Sequence, residues 1–445
     1  MSLIKKIIDK LNLSPTKQKI VRNILWAVTG KVVTLLGGLL VGIFVARHLG
    51  PEQYGLMSYV MSYVAIFQVL AYFGMDNIEI REESKTPKDK DKIIGTAFAL
   101  KMIFAVITIV LVGITAWVFE ADAFTKWMIM LYSISMVANS FGVIRNYFTS
   151  LVWNEYIVKT EITRTFIGAG IKVALLVLHA PLLWFIAATL FDTILIAGGY
   201  LVSYRSKIDS IRKWKYDKET AKYLIKESLP MLLSGAAVVI YQKIDQVMIG
   251  NMLDKQAVGF YSVADKFIEI CIFIPTIISQ TITPILVKSY KQDNALYAHH
   301  TKMYCSIITW SSIIISIFVF LSSNLLIKYT FGDTYNAAIP ILQILAFKSV
   351  GVGLMQSSGQ MIIIEGKQKY AVIRNGIACI VCIVGNLILI PKLGTTGAAI
   401  SGVIAFLFAG YFSHIFIPPY RKYLSIQTQS ILLGWKDIFK IFKNA

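Results

Sequence analysis

IIGTAFALKMIFAVITIVLVGITAWV, residues 93–118, carries a single charge, Lys101, in twenty-six positions. A helix crossing a bilayer needs about 20 predominantly apolar residues. In lipid every backbone polar group must be satisfied inside the segment, so a stretch like this reads as a spanning helix. The pattern recurs. Cutting the chain at charges, Pro and Gly leaves further candidates near 23–46, 54–73, 126–144, 165–178, 182–203, 228–250, 257–287, 303–322, 337–364, 371–390 and 394–417. The fifth, 165–178, is the shortest. With 56% apolar and 16% charged residues over 445 positions, the composition excludes a disordered or ordinary soluble chain.

The net charge is +19, which in a soluble protein would suggest nucleic acid. Here the basic residues sort by loop. With both termini inside, the cytoplasmic segments hold 33 Lys and Arg and the outer segments hold 5, namely Arg47, Lys126, Lys255, Lys328 and Lys392. Missing one helix would swap every later loop, so the asymmetry supports twelve crossings with cytoplasmic termini and no nucleic-acid partner. Trp117, Trp127 and Trp184 flank outer loops, as an aromatic belt does.

Three matches between the halves suggest a duplication. LGPEQYGLMSYV (49–60) aligns on LDKQAVGFYSVA (253–264) at an offset of 204, pairing Leu49, Gly55 and Ser58 with Leu253, Gly259 and Ser262. Tyr156 pairs with Tyr370, and Ala187-Ala188 with Ala398-Ala399. The expected architecture is all-α and polytopic: two pseudo-symmetric six-helix lobes around a central cavity, related as a parallel repeat. The divisions are 1–22, a cytoplasmic amphipathic segment; 23–203, the first lobe; 204–227, a basic cytoplasmic linker; 228–417, the second lobe; and 418–445, a cytoplasmic amphipathic tail. No cleavable signal peptide is expected. Residues 3–13, LIKKIIDKLNL, read as an interfacial basic helix, with a solvated helix as the alternative. The tail, with Leu432, Leu433, Trp435, Ile438, Phe439 and Ile441 among Lys436, Lys440 and Lys443, reads the same way.

VARHLGPEQYGLMSY (45–59), GMDNIEIRE (74–82), IDQVMIGNML (244–253) and AVGFYSVADK (257–266) resemble the signature of the Wzx-type polysaccharide repeat-unit flippases, which serve O-antigen and capsule. These form a branch of the multidrug/oligosaccharidyl-lipid/polysaccharide exporter superfamily. The resemblance implies a transporter of the bacterial inner membrane. It would pass undecaprenyl-pyrophosphate-linked oligosaccharides from the cytoplasmic to the periplasmic leaflet by alternating access. It also implies contact with membrane lipids and with the polysaccharide polymerase and chain-length machinery. The related lipid II flippases carry fourteen helices, two more than are counted here.

Six lysines fall inside spans: Lys31, Lys101, Lys172, Lys243, Lys266 and Lys348. Each costs about 2.5–3.5 kcal/mol at mid-membrane if it faces lipid. They outnumber the acids Asp192, Asp245, Asp265 and Glu269, so the interior is expected to be net positive. That suits a pyrophosphate, with Lys31, Lys101, Lys172, Lys243 and Lys348 as the candidate contacts. Snorkelling or structural ion pairing is the competing account of each lysine.

On the eighth span, Lys266 and Glu269 stand at i and i+3, a pairing distance. Asp265 and Glu269 stand at i and i+4, where they would share a proton or hold Na⁺; Asp245 is grouped with them as a possible coupling residue. Pro275 and Pro284 would bend this span. Arg47, before the helix-stop pair Gly50-Pro51, is a gate at the outer mouth or a lipid-headgroup contact. Arg81, at the inner edge, is likewise a gate or a headgroup contact, with Asp76 and Glu79 as its expected partners. Gly38 and Gly42 suggest a small-residue packing contact.

Other signals carry less. Cys379 and Cys382 form C-x-x-C within an apolar run, and His299-His300 lacks a carboxylate cluster, so neither metal nor redox cofactor is expected. There is no G-x-x-x-x-G-K-[ST] run for ATP. An enzyme would need a sizeable outer loop, and the longest, 323–336, holds one Lys and one Asp. A cation-coupled multidrug exporter of the same superfamily is the alternative, but it would call for an acidic, aromatic-lined interior.

Overall fold

The computed structural model describes residues 15–444, and every regular element in them is helical. The expected amphipathic helix at 3–13 lies outside the described residues. In chain order the helices are α1 Pro15–Tyr72, α2 Asp76–Lys85, α3 Lys90–Phe119, α4 Ala123–Ser133, α5 Ser135–Asn139, α6 Gly142–Ser150, α7 Asn154–Val177, α8 Leu182–Lys207 and α9 Lys218–Met252. Then follow α10 Lys255–Gln292, α11 Asn294–Thr330, α12 Ala338–Ala346, α13 Lys348–Ile364, α14 Ala371–Leu393, α15 Thr395–Leu407, α16 Ser413–Phe416 and α17 Arg421–Asn444.

Among the described residues, ten stretches are long and apolar enough to cross a membrane. Two further crossings complete the twelve. The first stretch, Val28–Lys85, contains two, because α1 breaks at Gly50 (φ 71°, ψ 173°), a backbone open to glycine, and Pro51 then lacks the N–H the helix would use. The other is α7, which runs for 24 residues, about 36 Å of helix. It is longer than the 165–178 expected. Its first turns project as charge-rich helix, stabilised by Glu155–Lys159 at 2.7 Å and by Arg145–Glu161 at 3.5 Å. Five charges are what hid it from an apolar count.

The chain divides into two compact units. The first comprises Met1–His48 and Phe67–Leu232. Its core gathers Met75, just before α2, with Ile78, Ile94, Ala97, Val143, Phe148, Tyr204 and Leu224 from α2, α3, α6, α8 and α9. The connection after α8 is docked: Trp214 packs on Phe98 and Tyr204, and the Lys215 N–H donates to the Asp91 carbonyl at 3.0 Å. Gly38 and Gly42 make no packing contact, since a methyl group there would meet nothing within 4 Å. The close approach of α1 to α7 uses Gly30 against Val158 and Gly37 against Thr165 instead.

The second unit comprises Leu49–Ile66 and Leu233–Ala445. Its cores gather Tyr241, Val352, Ala378, Cys382 and Phe406, and separately Leu286, Tyr304, Ile308, Met361, Tyr420 and Tyr423. α10 runs unbroken through Pro275 and Pro284. α17 seats one face on α11, where Trp310 Nε1 donates to the Ser430 carbonyl at 3.0 Å; Leu432, Leu433 and Trp435 stay exposed on another.

The strongest internal sign of duplication lies in this unit. A side chain on Gly55 would overlap the Lys255 carbonyl, and one on Gly259 would overlap the Pro51 carbonyl. Positions 55 and 259, and 51 and 255, are each 204 apart, so the crossing is reciprocal. Tyr59 Oη donates to Asn251 Oδ1 at 2.7 Å beside it, and the Lys255 ammonium lies 3.3 Å from the Tyr59 ring centroid.

Candidate functional site

A charge inside a membrane protein is stable only if paired, hydrated or neutralised, so the partner of each predicted lysine decides what it can do. Lys101, on α3, is 1% exposed. Its Nζ donates to Asp76 Oδ1 at 2.7 Å and to Glu79 Oε2 at 3.0 Å, and the Asn146 amide of α6 donates to the same two oxygens at 2.9 and 2.7 Å. Asp76 and Glu79 therefore do not serve Arg81, as expected from their proximity in sequence. On a helix, i and i+3 share a face while i and i+2 diverge. Arg81 turns the other way, to Glu82 at 2.8 Å, Glu227 at 3.0 Å and the Tyr223 hydroxyl.

Lys172 pairs with Asp192 at 2.6 Å in the same unit. In the second unit Lys348 is bound to Asp265 at 2.8 Å, both nearly fully buried, with the Phe406 ring 5.0 Å from the ammonium. Asp265 and Glu269 thus turn to different lysines. Glu269 accepts from Lys266 at 2.9 Å and from Lys243 at 3.4 Å. These three side chains remain 39%, 45% and 30% exposed, in that order. Two cations on one carboxylate leave this cluster with a net positive charge, and it is reachable from outside the core.

Asp245 is separate from both pairs. Three neutral donors hold it in a buried pocket: Tyr261 Oη at 2.6 Å, Asn386 Nδ2 at 2.7 Å and Cys382 Sγ at 3.3 Å. One cysteine of the C-x-x-C is therefore a thiol donor to a carboxylate. Lys31 and Arg47 are exposed on α1. Among the described residues no group of three His, Cys, Asp or Glu is arranged to hold a metal.

The sequence reading passed over Asn146, Asn386 and Tyr261 as partners, and it passed over Glu83. Asn386 was visible as a lone amide in an apolar run, and the Asp76/Glu79/Glu83 spacing as one helical face. Their cation, Lys101, lies a helix away, and only tertiary packing brings it there.

Comparison with known proteins places these charges in a family setting. A family model described as "Polysaccharide biosynthesis protein" matches residues 20–290, and a second, MatE, matches residues 230–388. The teichuronic acid biosynthesis protein TuaB of Bacillus subtilis is 26% identical over 132 residues, which are 29% of this chain and 26% of that protein. The capsular polysaccharide biosynthesis protein CapF of Staphylococcus aureus is 25% identical over 234 residues, 51% of this chain and 57% of that one. The matched stretches thus span about a quarter and somewhat over half of these relatives. Among solved structures, the lipid II flippase MurJ in an inward closed conformation superposes with a TM-score of 0.68 at 15% identity, covering 94% of this chain and 93% of that one. An inward-facing multidrug resistance MATE family transporter of the MOP superfamily gives 0.66 at 16% identity, covering 89% and 96%. At these identities the likeness shows the fold: a polytopic membrane protein of twelve helices in two lobes.

Proposed function

Because the chain belongs to the polysaccharide biosynthesis protein family, we propose that it is a flippase for undecaprenyl-pyrophosphate-linked oligosaccharide repeat units. It carries them from the cytoplasmic to the periplasmic leaflet of a bacterial inner membrane by alternating access. The observation that carries the reading, beyond the family match, is the partly exposed Lys243–Glu269–Lys266 cluster with its surplus cation. An anionic diphosphate headgroup gains charge-assisted hydrogen bonds there; a cationic drug would be repelled.

Lys243 is the preferred headgroup contact, and exposed Lys31 is a separate candidate. Lys101, Lys172 and Lys348 are each already engaged by carboxylates. Removing Lys243 leaves Glu269 neutralised by Lys266, so the change strips one charge without stranding another. Lys243→Gln is expected to lower surface polysaccharide about tenfold, the worth of one hydrogen bond to a charged group, at unchanged amounts of inserted protein; Lys243→Arg should retain most of it. The match to the MatE model supports the second reading, a multidrug exporter. Deleting the gene separates the two. The flippase reading requires a lipid-linked oligosaccharide to accumulate on the cytoplasmic leaflet; increased drug sensitivity with normal glycan would instead establish the exporter.

A further inference from the structure

Asp76, Glu79 and Glu83 fall at i, i+3 and i+7 on α2, one face of a helix that packs on α3 and α6. Lys101 and the Asn146 amide are consumed by the first two. Glu83, one turn further, is 2% exposed, and neither of its carboxylate oxygens receives a hydrogen bond. The Ser150 hydroxyl of α6 bears on this carboxyl but gives its proton to the Tyr147 carbonyl at 2.7 Å. Two buried acids, Glu79 and Glu83, and half-exposed Asp76 therefore share one lysine against a core built from Met75, Ile78, Ile94, Val143 and Tyr147.

The other charged or titratable groups around this face do not help. Tyr147 of α6 and Asp91 of α3 are acids themselves. Arg145 is drawn to Glu161 at 3.5 Å, and Asp89 of the turn after α2 adds negative charge. A lone carboxylate in such surroundings is costly, whereas the protonated acid is not.

We propose that Glu83 is a proton-binding site of the transport cycle; the coupling half of this inference rests on the flippase reading, the site itself does not. With its proton, Glu83 lies neutral against α6. Losing the proton places a second anion one turn from Glu79 in the same core, and the C-terminal turn of α2 is driven off α6. The way out is short. An open cavity of about 320 Å³, lined by Glu82, Asp89, Lys92 and Glu219 among others, borders the same end of α2, so water reaches within a turn of the carboxyl. Proton exchange is thereby tied to movement of the helix that joins the second and third spans.

The full-length protein in liposomes tests this in two ways. Infrared spectra over a pH titration should show a protonated-carboxyl stretch near neutral pH that shifts in D₂O and is missing from Glu83→Gln. Transport driven by an imposed proton gradient should lose its dependence on that gradient in Glu83→Gln, which keeps the shape of the neutral acid, while the inserted amount is unchanged. Absence of the carboxyl band in the unmodified protein would mean an ionised Glu83 and overturn the site. Full gradient dependence in Glu83→Gln would overturn the coupling. Should Glu83→Gln fail to insert, absence of the band in the unmodified protein still overturns the site, and its loss in Glu83→Met still supports it. Wild-type protein that moves no lipid-linked saccharide would refute the proposed function while leaving the infrared result to stand alone.

Discussion

Glu365, just past the end of α13, shows at the scale of a residue how a charge is made to work for stability. Burial alone would raise its pKa, but hydrogen bonds from Lys422, from the Tyr423 hydroxyl at 2.8 Å and from Lys367 outweigh that and hold the carboxyl below its ordinary value. A carboxylate depressed in the folded state contributes stability that is present above its unfolded pKa and lost as pH falls through the folded one. Glu365→Gln is therefore expected to lower the thermal midpoint at neutral pH, with the gap to wild type closing below the ordinary value of 4.5. Thermal melts across a pH series check this; a gap that persists at low pH would contradict it. Lys348 is a contrasting case. Lys348→Met strands buried Asp265 and should cost about 3–5 kcal/mol, seen as loss of inserted protein, and adding Asp265→Leu should restore most of it. The lysines themselves were legible as anomalies in apolar runs. Most of their partners were not, because Asp76 lies 25 residues from Lys101 and Asp265 lies 83 from Lys348.

At the scale of elements, periodicity and apolar length located the spans, since a bilayer allows few alternatives to a helix. They failed where a helix continues beyond the membrane: α7 begins eleven residues before its expected start, in charged sequence that no apolar window detects. The helix break at Gly50-Pro51 was legible for the same physical reason it forms. What the reading could not show was how close Gly55 and Gly259 let two helices come. Gly55→Ala or Gly259→Ala forces a methyl group into the opposing carbonyl, and overpacking of this kind costs about 1–3 kcal/mol. Gly38→Ala, whose added methyl meets open space, should be nearly neutral. Thermal stability of the three variants in detergent tests this, and equal losses at all three would remove the case for a tight crossing.

For the whole molecule, loop charge set the expected sides, and two local contacts join segments expected on the same side. The Lys215–Asp91 hydrogen bond ties together two segments expected to be cytoplasmic, as do Lys422 and Lys367 around Glu365 in the second unit. Reporter fusions after Lys215 should read cytoplasm, and fusions at Ala121 and Gly332 periplasm; a periplasmic signal at Lys215 would overturn the division into two sets of six helices. The reciprocal crossing at Gly55 and Gly259 bears on the history of the chain. In an ancestor half this length, the contact would have been the seam of a symmetric dimer. One mutation would have struck both sides of it at once, so any side chain replacing the glycine would have been penalised twice. Fusing the copies halves that penalty and lets each side drift alone. The position before the second helix has done so: Gly50 on one side corresponds to Asp254 on the other, which caps its helix by accepting from the Ala257 N–H at 2.7 Å. The two glycines have not drifted, because each still faces the other's backbone, and there a mutation remains as costly in one copy as it was in two.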